Sequence, residues 1–322
     1  MSKNRIMWID IAKGLLIVLV VIGHSHVNTI VDAIISSFHM AGFFILSGIT
    51  FSVKRKFFKG GCFLDKKIKS IILPYFLFCF LMLAQKYLTA RIILHNEINL
   101  FDGIISIFLP ISGQETTTVY GLWFLPCLFL SEIVLYFFIR LKETKNVFSY
   151  IYLGLIFALC IALYFETSMV SVVTLLPFSC LFIIVGMLLK KYLSWVESNK
   201  IWVLICSCVL FFVSFFVNVK LSSLNFDFSS MTMGITPLYI ICCIFGSLTL
   251  FCLSMFIEKS KLFSIIGKNS IYYYGFHYEV LAIVKKIVPY AVLQPIITLV
   301  ILMPIVSIYV WLKKSFTRKE HD

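Results

Sequence analysis

Apolar runs follow one another along the whole chain, separated by short polar or basic segments. A hydrocarbon core of about 30 Å takes roughly 20 residues of helix to cross. The runs predict ten such helices, near residues 6–27, 33–52, 70–90, 119–139, 147–165, 170–189, 201–219, 235–257, 270–288 and 291–312. Because the runs are continuous, and do not alternate over about 10 residues, an outer-membrane barrel is excluded. Composition points the same way: of 322 residues, 61% are hydrophobic and 13% charged, whereas a soluble domain carries about 25% charged residues. The expectation is an all-α integral membrane protein of about ten transmembrane helices. It forms one membrane domain over residues 1–322, with no appended soluble domain. The first run is too long for a cleaved signal peptide, and no small-residue cleavage site follows it.

The net charge of +13 would suggest a nucleic-acid partner in a soluble protein, but here its placement matters more. Twenty-three of the 28 Lys and Arg residues fall on the side of the N-terminus if ten helices cross. Lys86, Arg91, Lys220, Lys285 and Lys286 fall on the other. By the positive-inside rule both termini are cytoplasmic, and the partner read from the charge is the bilayer, with no nucleic acid. Two outer loops, 91–118 and 220–234, are too short to be domains. No repeat suggests the inverted halves of a transporter. The ten cysteines lie in or beside apolar runs, with no CxxC pair and no zinc spacing, so they read as small buried hydrophobes and no metal is expected.

Ionisable groups inside spanning helices are expensive unless paired, which makes them candidates for function. The first helix holds most of them. Asp10 and Lys13 are three apart and can meet on one face. From Lys13 to His24 is eleven residues, about 20° past three full turns, so the two share a stripe roughly 16 Å apart along the axis. His26, about 200° round from His24, points elsewhere. An imidazole at the depth of His24 can take a proton from a hydroxyl and return it, and the cation nearer the cytoplasm suits an anionic phosphate. The same residues also fit a plainer role, with His24 bonding a neighbouring helix and Asp10 paired to Lys13. His39 can face the cavity of His24, while Ser47-Gly48 suits close helix packing. The segment KRKFFKGGCFLDKKIK (54–69) holds seven cations and reads either as an anchor on anionic lipid or as a docking surface for a polyphosphorylated donor. Trp123, Glu132, His277 and Glu279 complete the polar set; Glu132 or Glu279 can neutralise a buried cation or touch a sugar hydroxyl.

RIMWIDIAKGLLIVLVVIGHS at the start of the chain resembles the first helix of the acyltransferase-3 family of integral-membrane O-acyltransferases, and most closely its fucose 4-O-acetylase-like branch. FHMAGFFILSG (38–48), ILPYF (72–76), LWFLP (122–126) and GKNSIYYYGFH (267–277) continue the likeness in order along nearly the whole chain. The resemblance implies ten helices, acetyl-coenzyme A as cytoplasmic donor and an envelope or surface-polysaccharide sugar, free or lipid-linked, as acceptor. It implies a multi-pass protein of the bacterial inner membrane. His24 matches the catalytic histidine of the family's Arg/Lys-x10-His motif and Lys13 its cation, with Asp10 beside them. Lys66 and Lys69 loosely match an Arg-x-x-Arg pair linked to the donor, but two lysines lack the bidentate fork of arginine. His39, Trp123, Glu132 and His277 are the expected substrate-binding residues. Two other classes of function compete with this one. An exporter of a glycan would spread polar groups over several helices and break them with Gly/Pro pairs, whereas here they gather in the first two. A non-catalytic subunit of a glycan-assembly complex would have no need of the Lys13 and His24 pair.

Overall fold

The computed structural model describes residues 6–52, 60–94, 99–108, 121–144, 146–167 and 170–319. Helices make up nearly all of it. Helix α1 spans Met7–Ser25, α2 Thr29–Ser36 and α3 His39–Thr50. Then come α4 (Gly60–Lys67), α5 (Leu73–Thr89), α6 (Leu100–Phe108), α7 (Phe124–Thr144), α8 (Asn146–Thr167), α9 (Leu176–Leu189) and the short α10 (Leu193–Ser198). The chain closes with α11 (Lys200–Leu221), α12 (Thr236–Phe256), α13 (Lys261–Lys268), α14 (Ser270–Ile287) and α15 (Leu293–Lys319). Among the described residues nine helical segments are long and apolar enough to cross a membrane, counting α2 with α3 as one. This is an all-α integral membrane protein. The segment expected near 270–288 is helical as α14, but Glu279, Lys285 and Lys286 fall within its 18 residues, and it is not among the nine.

α1 is the central helix, packed by α3, α12, α13, α14 and α15. Glycines permit its closest approach: a Cβ on Gly267 of α13 would overlap the Asp10 carbonyl, and one on Gly14 would overlap that of Phe263. α3 and α9 meet in the same way, Gly48 against Gly186. Small residues serve this purpose in membranes because lipid offers no hydrophobic drive for helix association, leaving contact area to hold helices together. Side-chain hydrogen bonds help, as where Ser131 of α7 meets Ser179 of α9 at 2.6 Å. α8 stands at the rim, with Phe148, Ile151, Leu155, Leu159 and Phe165 exposed; lipid is the solvent those side chains suit.

Two irregularities position the site. The run expected as one helix over 33–52 is broken at Ser37–Phe38, because Phe38 turns into the notch over Gly246 and lies edge-on to Phe211 at 5.4 Å. The break makes His39 the first residue of α3. Between α4 and α5 lies a π turn, Ile68–Ile72, in which the Leu73 amide donates to the Ile68 carbonyl. Pro74, with no N–H, removes the next α-type bond, and a one-residue bulge is how a helix absorbs such a loss.

Candidate active site

Two cavities enter the bundle from opposite ends. The first, of about 260 Å³, opens at the lysine-rich end and is bordered by Lys13, Ser47, Lys67, Ser70, Glu132 and Tyr274, among others. The second, of about 580 Å³, is bordered by His24, His26, Asp32, His39, Trp123 and Asp227, and again by Tyr274. Along α1, Lys13 and Ile17 face the first, Val20 and His24 the second. Tyr274 stands between the two, its hydroxyl donating to the Gly121 carbonyl and its ring edge-on to Phe124 at 5.6 Å.

The first cavity is built around an ion pair between a half-buried lysine and a buried carboxylate. Lys67 Nζ lies 2.6 Å from Glu132 Oε2, and Ser47 Oγ donates to Glu132 Oε1 at 2.7 Å. The rings of Phe51 and Phe63 flank the ammonium at 6.0 and 5.7 Å, close enough for cation–π attraction. Two of the expected residues are thereby placed. Glu132 borders the lysine-lined cavity, where it takes the first of its two expected roles and neutralises a cation; it does not border the cavity of His24. The lysine turned into the cavity is Lys67, whereas Lys66 and Lys69 border neither one. Lys69 instead pairs with Asp65 at 3.1 Å on the exposed side of the helix. The π turn sets which lysine faces inward, and no regular helical spacing reports it. Ser47 also does more than pack, since it holds the carboxylate.

In the second cavity His24 is half-buried, its ring 5.2 Å from Tyr278 and 5.3 Å from His277. His39 borders the same space with Nδ1 bonded to the Ile35 carbonyl at 2.8 Å. Trp123 lies in its wall, stacked on Phe228 at 5.8 Å. His277 is buried behind His24 and does not border the cavity. Asp10 is buried near Gly267 and borders neither cavity. His26 reaches the cavity after all: α1 ends at Ser25, His26 takes a left-handed conformation with φ 52°, and its ring comes within 3.4 Å of Asp32.

The remaining wall is the loop before α12. Phe226 and Phe228 bury themselves in the bundle, and Asn218 fixes the returning loop by donating to the Met233 carbonyl and accepting from the Ile235 amide. Gly234, with φ 58°, makes the turn. Asn225, Asp227 and Ser229 thereby face the cavity; the polar character of 220–234 was legible in the sequence, its folding back into the bundle was not.

A membrane-embedded bundle with a cation-lined cavity at one end and a histidine-lined cavity at the other defines a polytopic enzyme more readily than a passive anchor. The chain belongs to the acyltransferase-3 family, whose acyltransferase domain matches residues 6–313; it is a membrane acyltransferase. No curated protein and no solved structure matches it.

Proposed function

We propose that the protein moves an acetyl group from acetyl-coenzyme A to a hydroxyl of an envelope or surface-polysaccharide sugar, free or lipid-linked. The observation that carries this reading is the pair of cavities sharing Tyr274 as a wall, with Lys13 and His24 of one helix facing one each. A donor with a phosphate-rich head suits the cavity of Lys13 and Lys67, which by the positive-inside argument opens to the cytoplasm of a bacterial inner membrane. A sugar suits the cavity of His24, where Trp123 supplies an aromatic wall and Asn225 and Asp227 supply partners for hydroxyls. His24 accepts the hydroxyl proton as the sugar oxygen attacks the thioester carbonyl. The carbon–sulfur bond breaks, and the imidazolium returns the proton to the departing thiolate.

Membranes containing the protein, incubated with [14C-acetyl]-coenzyme A and an envelope glycan extract, should place label in an alkali-labile glycan fraction that membranes lacking it do not label. Glycan movement across vesicles without a labelled product would overturn the reading in favour of an exporter. Co-purification with a glycan synthase, without acetyl-coenzyme A turnover, would favour a non-catalytic subunit.

Lys67 has its own expected outcome. A Lys67→Met change leaves the buried Glu132 carboxylate without its cation, at a cost of up to about 3–5 kcal/mol, the figure for a fully buried pair, so the single variant should be poorly recovered. Lys67→Met combined with Glu132→Gln should restore recovery yet raise KM for acetyl-coenzyme A about tenfold, the scale of one lost charge-assisted phosphate contact. An unchanged KM in the double variant would remove Lys67 from the donor site.

A further inference from the structure

Nδ1 of His277 lies 2.6 Å from the carbonyl oxygen of Tyr274. A carbonyl only accepts, so Nδ1 carries the hydrogen and Nε2 of the neutral ring is left as an acceptor. Nε2 is buried and has no hydrogen-bond partner among the described residues. A buried acceptor without a donor is costly, and such a group in a folded protein calls for a reason. The ring of His24 stands 5.3 Å away, centre to centre. An N–H···N bond of about 3 Å, with about 1 Å from each nitrogen to its ring centre, spans about 5 Å. The two rings are therefore close enough for one imidazole to donate to the other once the His24 ring turns an N–H toward Nε2, a bond not made in the described conformation. On the far side Tyr278 lies edge-on to His24 at 5.2 Å and limits the ring's freedom.

We propose that His277 is a positioning residue: after a turn of the His24 ring, its Nε2 accepts the ring N–H of His24, so that the second nitrogen of His24 presents its lone pair to the outer cavity. This rests on the reading of His24 as the base. A base must be held in one tautomer, and a third group behind it commonly does this. The carboxylate that usually fills that role would put a fixed negative charge at membrane depth, which is expensive; a neutral imidazole avoids that cost. The chain thus reads as a relay from the Tyr274 backbone through His277 to His24, in which only His24 meets the substrate.

The full-length protein with His277 replaced by Leu, Gln or Asn, beside His24→Ala, tests the relay by steady-state kinetics with acetyl-coenzyme A and the glycan extract. Gln reaches the place of Nε2 with a carbonyl oxygen, whereas Asn reaches only the place of Nδ1. His277→Leu is expected to lower kcat on the order of 100-fold with KM for acetyl-coenzyme A unchanged, Asn to behave as Leu, and Gln to recover about tenfold over either. A wild-type kcat in the Leu variant, a loss confined to KM, or Gln no better than Asn would overturn the proposal. The Gln and Asn comparison stands even if the Leu variant does not fold. An active His24→Ala would overturn the base reading itself, whereas an inactive one beside a wild-type-like Leu variant would overturn the relay alone.

Discussion

If His24 is the base of the proposed acetyl transfer, replacing it by alanine is expected to slow that transfer on the order of 10³-fold, the scale of a lost general base, while coenzyme A, the proposed donor's head, still stabilises the protein against heat. The two halves of that result come from the separation of the cavities. His24 borders the larger one, near Trp123 and Asp227, and Lys13 and Lys67 border the other. Removing the imidazole therefore takes away the proposed proton acceptor without touching the cations that suit a phosphate-rich head. Initial rates of label transfer, together with melting temperatures measured with and without coenzyme A, check both parts. A rate within tenfold of the wild type would send the search for the base to His39 of α3, which faces the same space. Loss of the coenzyme A effect together with activity would show that His24 supports the fold or the donor.

Gly48→Leu should yield almost no folded protein. A Cβ at Gly48 would overlap the carbonyl oxygen of Ile183 and lie 2.9 Å from the Cα of Gly186. Both obstacles are backbone, so no side chain can turn aside, and α3 and α9 must separate. That separation would also pull Ser47 from Glu132. Losses above about 4 kcal/mol are exceptional for one substitution and are associated with overpacking of this kind. Gly154→Leu on α8 is the control, since nothing lies within 4 Å of a Cβ there and its recovery should match the wild type. Monodisperse yield after detergent extraction measures both. Equal recovery of the two would mean that the α3–α9 contact is looser than described.

The parts that sequence could reveal are those governed by a single helix. Hydropathy and length suffice to mark spanning segments, and a rise and turn per residue suffice to put Lys13 and His24 on one stripe of α1. The hidden parts depend on two elements meeting. No spacing tells that Glu132 of α7 meets Lys67 of α4, since their registers are independent and a π turn resets one of them. The break at Phe38 arises from a notch at Gly246, some two hundred residues away. His277 and His24 become neighbours only because α14 packs on α1, and within its own motif His277 gave no sign of which way it faces. The loop with Asn225 and Asp227 reads as ordinary polar linker until Phe226 and Phe228 are seen to anchor it.

The wall shared by the two cavities has an electrical consequence. Along α1, Ile17 borders one cavity and Val20 the other, a rise of about 4.5 Å. Were water to fill both cavities, most of the membrane potential would fall across that thin layer around Tyr274, not over the full hydrocarbon thickness. A charge carried alone through such a layer exchanges about 2.3 kcal/mol with the field for each 100 mV. In the proposed reaction an acetyl group, formally an acylium, passes outward while the hydroxyl proton passes inward. The two displacements cancel, so the exchange is electrically silent. A resting voltage across the membrane then neither drives the transfer nor holds it back.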